Sequence, residues 1–258
     1  MVDSNASSPR RIKAVQTSFR IVEELVECEE AGVTELADRL NLSKGTVHTH
    51  LSSLDNEGYV VKRGGRYRPS LRYLRIGDRI RESFDIYKHG RNPANRLAEE
   101  CGELVYLAVK QGTLVCFLYA VRGSDNAIQT ATQLGRTRYF HTTAAGKSMM
   151  AHMSETAVEE ILNVHGLPRK TDFTVTDRHV LFEELEAIRS QGYAVNAQEQ
   201  HLGAATVASS ALRPNGEVIG TISISGPAAK FDAEYVDEMA GLVKEAANKI
   251  EIDVSNVA

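Results

Sequence analysis

The sequence predicts an α+β chain in two parts: a small, mainly helical unit built to enter DNA, then a larger antiparallel sheet with helices on its faces. Residues 34–68 read as helix, turn, helix and basic hairpin. After residue 103, apolar runs of strand length recur between stretches of helical periodicity. The net charge of −4 is unevenly shared, +3 over residues 1–81 and −7 over residues 82–258. An acidic body is repelled by phosphates, so the N-terminal part is expected to meet DNA while the remainder stands off it.

The first unit is predicted over residues 10–70, behind a polar tail at 1–9 that reads as disordered. Val15, Phe19, Val22, Leu25 and Val26 share one helical face and are expected to seat the first of three packed helices. In Thr34 to Leu40, the residues Leu36, Ala37 and Leu40 face one way. Asn41 follows, a residue that tolerates the left-handed conformation at a helix end. Ser43 stands where an N-cap is wanted, ahead of Lys44 to Leu54. Val47, Leu51 and Leu54 recur at i, i+4 and i+7 and point inward, leaving Lys44, Thr46, Thr49 and Ser53 outward as a small hydrogen-bonding edge that fits a major groove.

Gly64-Gly65 then joins two alternating runs, Tyr59 to Arg63 and Arg66 to Pro69, a strong hairpin signal. That layout is a winged helix-turn-helix. Its candidate DNA contacts are Ser43, Lys44, Gly45, Thr46, His48 and Thr49 on the second helix, and Lys62, Arg63, Arg66 and Arg68 on the wing. A polar-edged helix pair also occurs in proteins that never touch nucleic acid, and the basic wing decides for double-stranded DNA. From Lys62 to Arg81 there are eight basic residues against the single acid Asp78. This density releases counterions from phosphates whatever the bases read.

Residues 71–90 are predicted as one linker helix, its stripe running Tyr73, Ile76, Ile80, Phe84 and Tyr87. A second copy is the expected partner for that stripe, because dimerisation sets two reading heads at a fixed spacing. The second domain is predicted over 91–254. It opens with a helix from Pro93 to Cys101 and a hairpin that turns at Lys110-Gln111-Gly112. A strand follows at 128–132, and a helix opens within His141 to Ser148. Further helices are expected at 155–164 and 177–190, then strands at 193–199, 204–212 and 218–225, with a turn at Pro214-Asn215-Gly216. The closing helix is capped by Asp232, with Phe231 and Val236 as a hydrophobic staple.

Several chemistries are not expected. Gly146-Lys147-Ser148 ends like a phosphate loop, but that pattern needs glycine where His141 stands. The small residues there could still offer backbone N–H groups to a carboxylate. His48 and His50 are two apart on one helix and point away from each other, and no metal-binding spacing occurs, so neither a metal nor another cofactor is expected. No nucleophile elbow is present, and the chain is not expected to be an enzyme. Three scattered cysteines, no signal core and no apolar run of membrane length suit a reduced cytoplasmic protein with no membrane partner.

Across nearly its whole length the chain resembles the IclR-type transcriptional regulators. The resemblance lies in the winged unit, including Thr46-Val47-His48, and in His141-Thr142-Thr143-Ala144-Ala145-Gly146-Lys147. It continues through Gly192-Tyr193, Glu199, Gly203 and Ile222-Ser223-Ile224-Ser225-Gly226-Pro227. The resemblance implies a GAF-like C-terminal domain that binds a small metabolite, often an organic acid, in a homodimer or homotetramer. It places the effector beside Ala144, Ala145 and Gly146 at the helix start, with Asn196, Thr206, Ser223 and Ser225 completing the pocket. The chain departs from the pattern where Asn196 replaces the usual acid, Thr206 the usual cysteine, and Thr49 a frequent arginine. The expectation is therefore a sequence-specific transcriptional regulator, a repressor, controlled by an organic or sugar acid. Two alternatives stay open: a ligand-processing enzyme tethered to DNA, and a non-specific architectural DNA-binding protein.

Overall fold

The computed structural model describes residues 11–124 and 134–256; the tail at 1–9 and the strand at 128–132 lie outside the described residues. The chain divides into two compact units between Ile80 and Arg81.

In the first unit, α1 (Lys13–Cys28), α2 (Val33–Leu40) and α3 (Lys44–Asn56) pack around Ile21, Leu25, Leu36, Val47 and Leu51, all fully buried. The face expected of α1 needs correction. Val22 and Leu25 turn inward with Ile21, whereas Val15, Phe19 and Val26 are exposed. Two apolar stripes share this helix, and Ile21 anchors the one that packs. Asn41 ends α2 in the left-handed conformation (φ 53°, ψ 51°), and the Thr46 N–H donates to Ser43 Oγ at 3.0 Å, as a cap requires. The wing is β2 (Val60–Arg63) and β3 (Arg66–Pro69), paired antiparallel with Arg63 opposite Arg66. Gly64 and Gly65 both take positive φ (56° and 78°), the backbone a two-residue hairpin turn demands. A short strand missed in the sequence, β1 (Ala31–Gly32), pairs with β3 and ties the wing to the helices.

The linker helix is also corrected. The 71–90 stretch is not one helix: α4 runs Arg72–Arg81, the helix is interrupted over residues 82–84, and α5 (Asp85–Cys101) begins. The predicted stripe splits at that break. Tyr73, Ile76 and Ile80 stay on α4, where none is fully buried, while Phe84 and Tyr87 pack into the core of the second unit. Pro93, read as a helix start, lies inside α5.

The second unit is a six-stranded antiparallel sheet in the order β6-β5-β4-β9-β8-β7. Its strands are β4 (Leu104–Gln111), β5 (Leu114–Arg122), β6 (Thr137–Arg138), β7 (Ala194–Ala197), β8 (Ala204–Leu212) and β9 (Val218–Pro227). Alternation assigns the faces. In β4, Val105, Leu107 and Val109 join α5 and α9 (Ala233–Ser255) in one core. Leu104, Tyr106 and Ala108 join α6 (Ala144–Met150), α7 (Glu155–His165) and α8 (Arg178–Gln191) in the other. Covering both faces explains why β4 reads as an unbroken apolar run. The Asp232 carboxylate accepts from Tyr235 N–H at 3.0 Å, the expected cap of α9. Gly216 turns the β8–β9 connection at φ 84°.

Candidate effector cavity and DNA-reading head

The outward edge of α3 is open. Ser43, Lys44, Gly45, Thr46, His48 and Thr49 are all exposed. Thr49 Oγ1 donates to its own helix at Gly45 O (3.0 Å), and Ser43 Oγ and Thr46 Oγ1 share a hydrogen bond at 2.8 Å. These hydroxyls are held in place and keep acceptor capacity outward. His50, on the other side, bonds Ser18 Oγ through Nδ1 at 2.8 Å and belongs to the packing of the head.

The wing cations divide. Arg63 and Arg68 are exposed, and their side chains make no hydrogen bond or ion pair among the described residues. Lys62 lies over the Tyr67 ring, 5.4 Å from its centre. Arg66 is already occupied: its guanidinium donates to Glu30 Oε1 (2.9 Å), Glu30 O (2.9 Å) and Glu35 Oε2 (3.2 Å). It is the rivet between wing and helices, a role the sequence could not show because its partners lie 36 and 31 positions away.

In the second unit, a cavity of about 420 Å³ opens between β9, β8, the start of α6 and the loop before β8, within the size range of small-molecule sites. Its walls bring together Ala144, Ala145, Asn196, Thr206, Ser223 and Ser225, six of the seven expected effector residues. Alternation along β9 sends Ile222 and Ile224 into one core and leaves Ser223 and Ser225 facing this space. Thr206 Oγ1 donates to Ser225 Oγ at 3.0 Å, and Ser225 Oγ donates to Ala205 O at 3.3 Å. Tyr106 and Phe117, packed edge to face at 5.3 Å, add an aromatic wall.

Gly146 does not line the cavity. A methyl at its Cα would stand 2.2 Å from Phe140 O, so the glycine is there to let α6 lie against backbone. Its N–H donates to Thr143 Oγ1 at 3.0 Å, which removes one of the donors expected to greet a carboxylate. Lys147 is fully buried and ion-paired to Glu184 (2.5 Å) and Glu199 (2.7 Å), so it cannot serve a phosphate. Burial pushes the Glu199 carboxyl up, and the Lys147 charge opposes that rise. Asn196 is spent on structure: its amide donates to Thr142 O, and its Oδ1 accepts from Glu199 N–H at 3.1 Å. An aspartate could keep the second bond but not the first.

Among the wall residues outside the expected set, two bear on the charge of a ligand. Arg138, on the two-residue β6, is the one formally charged side chain among the described residues of the cavity wall. His201 sits beside it; desolvation and then the Arg138 charge hold its imidazole below the usual pKa. Neither belongs to a periodic motif. Among the described residues no group of His, Cys, Asp and Glu could hold a metal ion, and no helix is long and apolar enough to cross a membrane.

The family model described as "Bacterial transcriptional regulator IclR C-terminal" matches residues 78–252, well over half of the chain. The chain belongs to the IclR family of transcriptional regulators. A second model, "Winged helix-turn-helix DNA-binding", matches residues 16–61 of the reading head. Among curated relatives, the probable HTH-type regulator ArcR of Halobacterium salinarum is 28% identical over 253 residues, covering 96% of each chain. The HTH-type regulator KdgR of Escherichia coli is 28% identical over 244 residues, 94% of this chain and 92% of the relative. The Thermotoga maritima IclR crystal structure superposes with a TM-score of 0.83 at 29% identity, covering 94% of this chain and 99% of that one. This IclR-family chain is thus an HTH-type transcriptional regulator with a DNA-binding and an effector-binding unit.

Proposed function

We propose that this IclR-family protein is a cytoplasmic repressor whose hold on its operator is changed by a small organic acid seated in the 420 Å³ cavity. The observation that carries the reading is the cavity itself: one cation and several hydroxyls, enclosed by the sheet and α6. Repression asks least of the chain, since a head occupying a promoter blocks it without any further surface. The ligand must bind the DNA-competent and DNA-incompetent arrangements unequally, or it shifts nothing. We read the bound acid as a signal and not a substrate, so it should be recovered unchanged after incubation with the protein. In a mobility-shift assay on upstream DNA, an organic acid should alter specific binding. Equal affinity for random and upstream DNA would end this proposal.

On the head, Lys44→Ala should weaken specific binding most, while Arg63→Ala should weaken all sequences alike and flatten the salt slope by about one unit. Arg66→Ala behaves differently. Losing a mostly exposed network should loosen the wing by about 1 kcal/mol, seen as a lower melting temperature without DNA. An unchanged melting temperature would return Arg66 to the phosphate-contacting set.

We also propose that two copies pair through α1. Ile12, at the N-cap, and Val15, Phe19 and Val26 are 67%, 48%, 62% and 61% exposed on one face of the helix, an apolar strip with no partner among the described residues. Phe19→Glu should shift the mass measured by light scattering toward the monomer and weaken operator binding at least ~10-fold. A dimer that survives this change would place the contact elsewhere.

A further inference from the structure

Resting on the effector reading above, we propose that Arg138 is the anion anchor of the cavity and that the ligand is a small monoanionic hydroxy acid, its carboxylate on Arg138 and its hydroxyls on Ser223 and Thr206.

The argument begins with unmet hydrogen bonds. Arg138 Nε is shut off from solvent and has no partner, and the guanidinium donates only from Nη1, to the adjacent Thr137 O at 3.1 Å. The Nη groups are not shut off in this way, and only one of their N–H bonds is taken, by the arginine's own neighbour, so the end of the fork keeps donors for a ligand. Tyr106 and Arg136 are the groups whose charge it feels, and Arg136 repels it. A carboxylate on the Nη end of the fork would take the donors left open there and offset the uncompensated charge, and the planar guanidinium suits it in two-point fashion.

The charge count limits the ligand to one negative group. Among the described wall residues Arg138 is the only permanent ion, desolvation and the Arg138 charge both disfavour a charged His201, and Lys147 is satisfied by its own glutamates. A dianion would bring a second charge into the enclosure with nothing to meet it, at a large desolvation cost.

The part of the wall that β8 and β9 supply specifies hydroxyls. Ser223 is 1% exposed, and its hydroxyl makes no hydrogen bond among the described residues. Thr206 and Ser225 have already spent their protons on Ser225 and Ala205, so Thr206 presents an acceptor to the cavity. Acceptors in that position select a ligand that donates, which a hydroxyl does and a hydrocarbon or second carboxylate does not.

The test uses the full-length protein and calorimetric titration with three matched probes: gluconate, its neutral amide gluconamide, and hexanoate, which lacks hydroxyls. The same titrations follow for shorter hydroxy acids and their amides. At least one hydroxy acid should bind, with its amide and its deoxy counterpart each at least ~30-fold weaker. Arg138→Gln should lose about 100-fold for the acid and narrow the acid-to-amide ratio towards one, whereas Ser223→Ala should lose ~5- to 20-fold and keep that ratio. Should Arg138→Gln fail to fold, the acid-to-amide ratio of the unaltered protein decides alone. Equal binding of acid and amide, tighter binding of hexanoate, full affinity in Arg138→Gln, or no binding by any acid overturns the proposal. A neutral effector that still alters operator binding would sink this assignment and leave the regulator reading standing. Acid binding through Arg138 with no effect on DNA would do the reverse.

Discussion

Replacing Lys147 by methionine is expected to destabilise the effector domain by about 3–5 kcal/mol, measured by urea denaturation near pH 7. Lys147 is fully buried between Glu184 and Glu199, whose side chains are 30% and 8% exposed. Removing the ammonium leaves a carboxylate in the interior with nothing to offset its desolvation, and that stranded charge is the source of the loss. The pH dependence gives the signature. Burial already raises the Glu199 carboxyl above its ordinary value, and Lys147 is the group holding it down. Without the lysine the folded-state value climbs further above the unfolded one. The folded state then binds more protons than the unfolded state across that window, and stability falls as pH rises through it. The deficit of Lys147→Met should therefore shrink as pH is lowered from about 8 to about 5. A second change, Glu199→Gln, should restore part of the loss at neutral pH. A variant as stable as the parent at pH 7, with no pH trend, would show that the triad is solvated in solution.

Gly146→Ala should cost the same domain about 2–4 kcal/mol, lowering its melting temperature by roughly 5–10 °C. The added methyl meets Phe140 O at 2.2 Å and Phe140 Cα at 2.5 Å, and backbone cannot step aside as a side-chain tip can. The accommodation must come from α6 moving off the 3-10 turn at Phe140–Thr142, which shifts Ala144 and Ala145 in the cavity wall. Ligand affinity should fall with stability, while the core of the reading head, a separate unit, keeps its own. Gly241→Ala is the control: nothing lies within 4 Å of a methyl there, and the position is inside α9. It should be neutral or stabilising by up to about 1 kcal/mol. Equal losses at the two glycines would mean that both report helix propensity and not packing.

Much of the molecule was readable from residues because local rules and tertiary demands coincide there. Asn41, Ser43, the Gly64-Gly65 turn and Asp232 each carry their conformational reason within a few positions. Ser223 and Ser225 were expected in the pocket from the family resemblance, and alternation along β9 is what sends both to that face. The errors have a common physical origin. On α1 two apolar stripes compete, and only the rest of the core decides that Ile21 wins over Phe19. Along 71–90 the stripe is continuous in spacing although the helix is interrupted after Arg81, since period alone cannot tell one helix from two collinear patterns. Gly146 sits where a small residue can make room for a ligand or for backbone, and the two look alike in sequence. Arg138 was missed because its significance is a set of unmet bonds, produced by segments far apart in the chain.

The rims of the large sheet have a consequence for how the protein survives at high concentration. Among the described residues its outermost strands are the two-residue β6 and the four-residue β7, while the inner four run 8 to 10 residues. Among the described residues, a neighbouring molecule that docks on β6 or β7 finds a template of only two or four residues. Such truncated borders guard against fibril growth and domain exchange, and substitutions that lengthen β7 should cloud concentrated solutions well before they unfold the chain.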